Sequence, residues 1–164
     1  MYDVKLKNSE KELNEKDFKL VEEDLSIKIP DSFKRFYLCA NGGDPNKTYW
    51  IDSTGKFDHM EIRDFMSIRY RKVFKDDPDY TLNGIAKTQW AEGVLPKNLL
   101  PFAMDWGGNY FCIDHQNEKV YLFVRDVWSD NLSKEENLDL NSKFLCESFD
   151  DFLSNIHFED DIEN

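Results

Sequence analysis

The chain predicts an α+β fold, a single domain in which an antiparallel or mixed sheet is packed by helices from its N-terminal side and by one helix from its C-terminal side. Three observations predict it. Two amphipathic helical stripes open the chain, three short apolar runs separated by turn residues lie between Leu100 and Arg125, and another helical stripe closes it after Ser148. Helices, then hairpin-linked strands, then a helix is the order of an α+β domain rather than of alternating βα units. The length of 164 residues suits one domain. A domain of that size buries roughly 70% of the surface its unfolded chain exposes, so it needs no disulfide or metal staple. Aromatic residues make up 15% of the chain and fall in clusters, as a packed core requires.

The first helix runs from about Asn14 to Leu25, because Phe18, Val21 and Leu25 recur at i, i+3, i+7. Ile29-Pro30 ends the helical region, since the residue before a proline is pushed out of the αR conformation. A second helix follows over Asp31 to Ala40, with Phe33, Phe36, Tyr37 and Ala40 on one face. Asn41-Gly42-Gly43 stops it as a turn or cap, residue types that accept positive φ at least cost.

Thr48 to Asp52 is β-rich, and Thr54-Gly55 forms a turn. Met60, Ile62 and Phe65 predict a strand that gives way to a short helix before Tyr70. A helix spans Leu82 to Glu92, with Gly93 as its stop. Leu100 to Asp105, Tyr110 to Asp114 and Lys119 to Arg125 then read as three strands joined by hairpin turns at Trp106–Asn109 and His115–Glu118. In the third of these Val120, Leu122 and Val124 share one face and Tyr121, Phe123 and Arg125 the other, so both faces are covered. The last helix covers Ser148 to Ile156, with Ser148 as N-cap and Phe149, Phe152, Leu153 and Ile156 facing the core. The domain extends over residues 14–158, and the acidic end, residues 159–164, frays.

The formal charge of −12 sets the sequence against nucleic acid and anionic membranes, which bind through Lys and Arg. It favours a basic partner instead, because complementary fields speed association. The cluster Arg69, Arg71, Lys72, Lys75 is the exception, and it runs straight into Asp76, Asp77 and Asp79, so a solvated face of mixed charge is expected there. Cys39, Cys112 and Cys146 lie in apolar contexts and read as buried free thiols of a reducing compartment. No apolar run reaches the ~18 residues of a membrane span, and the opening residues lack the apolar core of a signal peptide, so a cytoplasmic protein is expected.

Catalytic and cofactor chemistry find little support. Neither a P-loop nor a dinucleotide fingerprint occurs. Gly42-Gly43 follows a helix where a phosphate loop would precede one, and Gly107-Gly108 lies in a hairpin turn. Cys112-x-x-His115 is half of a zinc spacing without its second pair, which leaves a core thiol and a turn histidine. His59-x-Glu61 lacks the P-C-x-x-C half of a deaminase site. No cofactor, metal or catalytic residue is therefore assigned. The four tryptophans, Trp50, Trp90, Trp106 and Trp128, fall near element ends or turns, where core filling is the ordinary role. A tryptophan left exposed beside acids would be an anchor for a protein partner. Trp128 between Asp126 and Asp130 is the foremost candidate, and Trp106 beside Asp105 the second.

Three stretches together carry a family resemblance. They are Ile29-Pro30-Asp31-Ser32-Phe33 with the helix closing in Asn41-Gly42-Gly43; Leu95-Pro96 followed by Leu100 through Asp114 with Gly107-Gly108-Asn109 at its centre; and Val120-Tyr121-Leu122-Phe123 with the helix opened by Ser148-Phe149-Asp150-Asp151-Phe152-Leu153. Their order and spacing, over roughly Phe18 to Phe158, resemble the SUKH superfamily of Smi/Knr-type domains. The resemblance implies a single α+β domain that binds proteins and catalyses nothing. It also implies an immunity protein that neutralises a cognate toxin, often one that attacks nucleic acid, or alternatively an intracellular regulatory or scaffolding protein. Asn41, Gly42, Gly43, Gly107, Gly108 and Asn109 match the most recognisable family positions and read physically as turn and cap residues, not contacts. Residues 69–92 match no pattern of the family.

Overall fold

The computed structural model describes residues 2–162. Its centre is a seven-stranded sheet, antiparallel throughout, in the order β8-β7-β6-β5-β4-β3-β9. The strands are β3 (Tyr49–Trp50), β4 (Met60–Phe65), β5 (Leu99–Asp105), β6 (Tyr110–Asp114), β7 (Val120–Phe123), β8 (Ser142–Cys146) and β9 (Ile156–His157). A separate two-stranded pair joins β1 (Leu6–Lys7) to β2 (Asp44–Pro45). The helices are α1 (Glu15–Leu25), α2 (Asp31–Cys39), α3 (Leu82–Glu92), α4 (Lys134–Asn141) and α5 (Phe149–Ser154).

The sheet curls for a simple reason of reach. Seven flat strands would put β8 and β9 about 29 Å apart. The link from Cys146 to Ile156, a short helix with three extended residues around it, spans at most about 25 Å. All five residues of β6 are buried, so the middle of the sheet is covered on both faces. Phe102 in β5 meets Phe33 of α2 and both Phe149 and Phe152 of α5, at ring separations of 5.2–5.9 Å. Trp50 of β3 stacks on Phe152 at 6.0 Å. Aromatic pairs of this geometry add about 0.5–1.5 kcal/mol each beyond their burial.

Pro101 sits inside β5, where a proline removes a ladder donor. The register shifts between Pro101 and Ala103, a bulge of the kind that tolerates it. The Phe102 carbonyl there accepts the Met66 N–H at 2.8 Å and the buried Tyr37 hydroxyl at 3.2 Å, tying α2 and the chain after β4 to the sheet.

Asn41-Gly42-Gly43 does not cap α2. The helix ends at Cys39 and Ala40 is extended, with φ −161°. Asn41, 1% exposed, acts as a clasp: its Nδ2 donates to the Lys11 and Ile68 carbonyls, and its Oδ1 accepts the Ile68 N–H at 2.7 Å. Gly42 has φ +71°, and a Cβ there would lie 2.7 Å from the Ser67 backbone nitrogen, so glycine is needed for conformation and for space.

Asp17 does for the chain after β4 what Asn41 does for its start. Its carboxylate caps α1 in a reciprocal box with Asn14, and Oδ1 accepts the Tyr70 hydroxyl at 2.7 Å and the Arg69 guanidinium. Burial alone would raise its pKa, but the bonds from Tyr70, the Asn14 N–H and Arg69 outweigh it and hold the carboxyl below its usual value.

Several expectations are corrected. No helix lies between β4 and Tyr70; the chain bends through residues 67–70 because Ile68 and Arg69 are held by Asn41 and Asn83 instead of by helical carbonyls. The last helix stops at Ser154, and Ile156 joins β9, where pairing with Trp50 buries it. β7 ends at Phe123, two residues early, because Val124 bonds to the Asn141 carbonyl and Arg125 to the β5–β6 turn. Cys39 is exposed, lying on the outer side of α2, while Cys112 is buried and Cys146 half-buried. Glu159–Asp161 form a 3₁₀ turn, and the last two residues of the expected frayed end lie outside the described residues.

Candidate protein-interaction surface

Two loops at one end of the sheet carry the exposed tryptophans. Trp50 and Trp90 are buried, whereas Trp106 is 68% and Trp128 48% exposed. Trp106 stands at the tip of the β5–β6 hairpin. Asp105 and Asn109 close that turn: the Asn109 N–H donates to Asp105 Oδ1 at 2.8 Å, and its Nδ2 to Oδ2 at 3.0 Å. Gly108 takes φ +87° with open space around it, the left-handed step that lets the chain reverse. Asp105 is thus a half-buried brace with both carboxylate oxygens committed to Asn109.

The second loop follows β7 and is fastened to the first. The Arg125 N–H donates to Asn109 Oδ1, its guanidinium donates to the Gly108 carbonyl at 3.2 Å, and the same group lies 4.3 Å over the Tyr110 ring. Trp128 lies three residues on, between the exposed Asp126 and Asp130.

Two buried asparagines of α4 hold the far side of this loop. Asn137, 1% exposed, accepts the Ser129 N–H on Oδ1 at 2.8 Å and donates to the Ser129 carbonyl at 2.9 Å. Asn141 donates to the Val127 carbonyl. Trp128 therefore sits between two anchored neighbours. The rim includes exposed Val127 and Leu140, 52% and 51% exposed. Arg125, Asn137 and Asn141 escape a reading based on apolar period; the Ser133–Glu136 pair, a complete capping box that opens α4, is the signal that could have found that helix.

Burial raises the Cys112 thiol well above its ordinary value and pushes Cys146 up to about 12, so both stay protonated at neutral pH, the opposite of an activated nucleophile. Cys112 is fully buried, while His115 is a turn residue whose Nε2 meets the Lys97 carbonyl at 2.8 Å. Among the described residues no group of three or more His, Cys, Asp or Glu is placed to hold a metal ion, and no helix is long and apolar enough to cross a membrane.

The family model described as SMI1 / KNR4 family (SUKH-1) matches residues 12–155. No curated protein shows significant similarity to the chain. A crystal structure of a protein from Pseudomonas syringae pv. tomato is similar, with 22% identity over 77% of this chain and 78% of that one and a TM-score of 0.45.

Proposed function

Because the chain belongs to the SMI1/KNR4 family (SUKH-1), we propose that it works by binding another protein and blocking it, as a cytoplasmic immunity protein against a cognate, basic toxin that acts on nucleic acid. The observation that carries this reading is the pair of exposed indoles, Trp106 and Trp128, on two braced loops beside Asp126 and Asp130. Tryptophan is among the residues enriched at interface hot spots, and an anchor fixed before binding loses less conformational freedom on binding. A net charge of −12 would steer a basic partner onto the surface. A stable complex of this kind buries about 1,200–2,000 Å² in total.

The test is co-expression with the toxin encoded beside this gene, followed by isolation of the complex. Protection that falls on Trp106→Ala and Trp128→Ala supports the reading. Absence of both protection and complex sinks it. Association that is no slower at high salt would remove the steering role of the acidic surface.

A further inference from the structure

The run Arg69, Arg71, Lys72, Lys75 does not cancel against the acids that follow it. These four cations line an open cleft of about 590 Å³, joined by Lys11 from the N-terminal arm, whereas Asp76, Asp77 and Asp79 are absent from its walls. We propose that this cleft is a second docking site, for an acidic segment of a partner protein that carries apolar side chains between its acids.

The floor of the cleft is built, not loose. Tyr70 and Arg69 are held by Asp17, the Arg69 N–H by Asn83 Oδ1 at 2.9 Å, and the Lys72 N–H by Glu10 Oε1 at 3.1 Å. Its lysine ammoniums are available. Among the described residues neither the Lys72 nor the Lys75 ammonium has a hydrogen-bond or ion-pair partner, and that of Lys11 rests 4.8 Å over the Tyr70 ring. An apolar edge adjoins them. Val73 and Phe74 are each 58% exposed, and Phe74 stacks at 4.7 Å on Tyr80, which Arg71 covers from 5.1 Å. Cations flanking the exposed Val73 and Phe74 complement a peptide that carries both acids and apolar residues.

A nucleic acid fits less well. Glu10 and Glu12 share the cleft wall, and the whole molecule carries −12, so a continuous polyanion is repelled beyond the cleft. A short acidic segment meets five local cations against Glu10 and Glu12, because the field of more distant charges is screened over about 8 Å at physiological salt. The site is opposite in sign to the tryptophan surface and does not depend on the immunity reading.

The test uses the full chain and a short fluorescein-labelled peptide that alternates glutamate with phenylalanine, read by anisotropy. Saturable binding is expected, weakened about tenfold by the double exchange Lys72→Glu and Lys75→Glu and left unchanged by Trp106→Ala. A thermal melt confirms that the exposed-site variants fold. No saturable binding overturns the proposal, and so does equal binding in the Lys72→Glu, Lys75→Glu variant. Tighter binding of a charge-matched oligonucleotide would make the cleft a nucleic-acid site. A self-association removed by the same double exchange would make its occupant a second copy of the chain. Either result replaces the peptide. Failure of toxin protection leaves all these outcomes intact, so the two readings fail separately.

Discussion

The backbone N–H of Arg125 donates to the Oδ1 of Asn109 at 3.0 Å across sixteen residues of sequence, and with the guanidinium bond to the Gly108 carbonyl it joins the two loops that present Trp106 and Trp128. Asn109→Ala removes it together with the Nδ2 bond to Asp105. The expected cost is about 1–2 kcal/mol in a denaturant melt, the net worth of two partly exposed hydrogen bonds. Partner affinity should fall by more than the stability change explains, because both indoles lose their support. Asn109→Asp keeps the acceptor for Arg125 but turns the Nδ2 donor into an oxygen facing Asp105 Oδ2, so at neutral pH it should be no more stable than Asn109→Ala.

Tyr70→Phe tests the Asp17 node. A hydrogen bond to a charged group is worth about 1.5–3 kcal/mol, so the variant should be less stable by that order at neutral pH. The carboxyl is held below its usual 3.8 in the folded chain. Its contribution is therefore complete above the unfolded value and is lost as the pH falls through the folded one. Urea melts in increasingly acid buffer should show the gap between wild type and Tyr70→Phe closing below about pH 4. A gap that stays constant would remove the ionised acceptor from the account.

Two glycines with positive φ should respond unequally to Ala. At Gly108 a Cβ meets nothing within 4 Å, so only conformational strain opposes it, about 1–2 kcal/mol. At Gly42 the same strain is joined by a clash with the Ser67 and Met66 backbone, for a total of about 2–5 kcal/mol. Thermal melts of the two variants side by side decide it, and equal losses would contradict the close approach at Gly42.

Tryptophan fluorescence reports the surface without a partner. Trp50 and Trp90 are buried while Trp106 and Trp128 are exposed, so acrylamide should quench only part of the emission. Caesium should quench that part better than iodide, because an acidic surface concentrates cations and repels anions. Trp106→Phe with Trp128→Phe should abolish the accessible part.

What the sequence shows of the fold follows from where burial is apolar. α3 and the β5–β6–β7 hairpins are readable because Leu82, Ile85, Ala86 and Trp90 repeat at helical period, because Gly93 and Gly107-Gly108 mark the end of α3 and the first turn, and because the polar run His115–Glu118 marks the second. α4 and β8 are not readable: α4 turns Asn137 and Asn141 inward, so its buried side is made of amides that satisfy loop carbonyls. Apolar periodicity cannot register such a face. Likewise the exposure of Trp106 and Trp128 is suggested by their polar neighbours, but the support behind them comes from Arg125 and two distant asparagines, which only the folded chain assembles. The gathering of Lys11 with Lys72 and Lys75 is invisible for the same reason, since it depends on Asp17 of α1 and Glu10 of the N-terminal arm reaching across.

The position of β9 beside β3 constrains when the molecule can be completed. Phe149 and Phe152, which cover Phe33, Phe102 and Trp50, emerge from the ribosome after every other strand of the sheet, and Ile156 follows them. A nascent chain halted before Phe149 therefore holds a finished set of hairpins over an open aromatic floor. Such an intermediate is a natural client for a chaperone, and a chain truncated just before Phe149 should aggregate rather than bind more weakly.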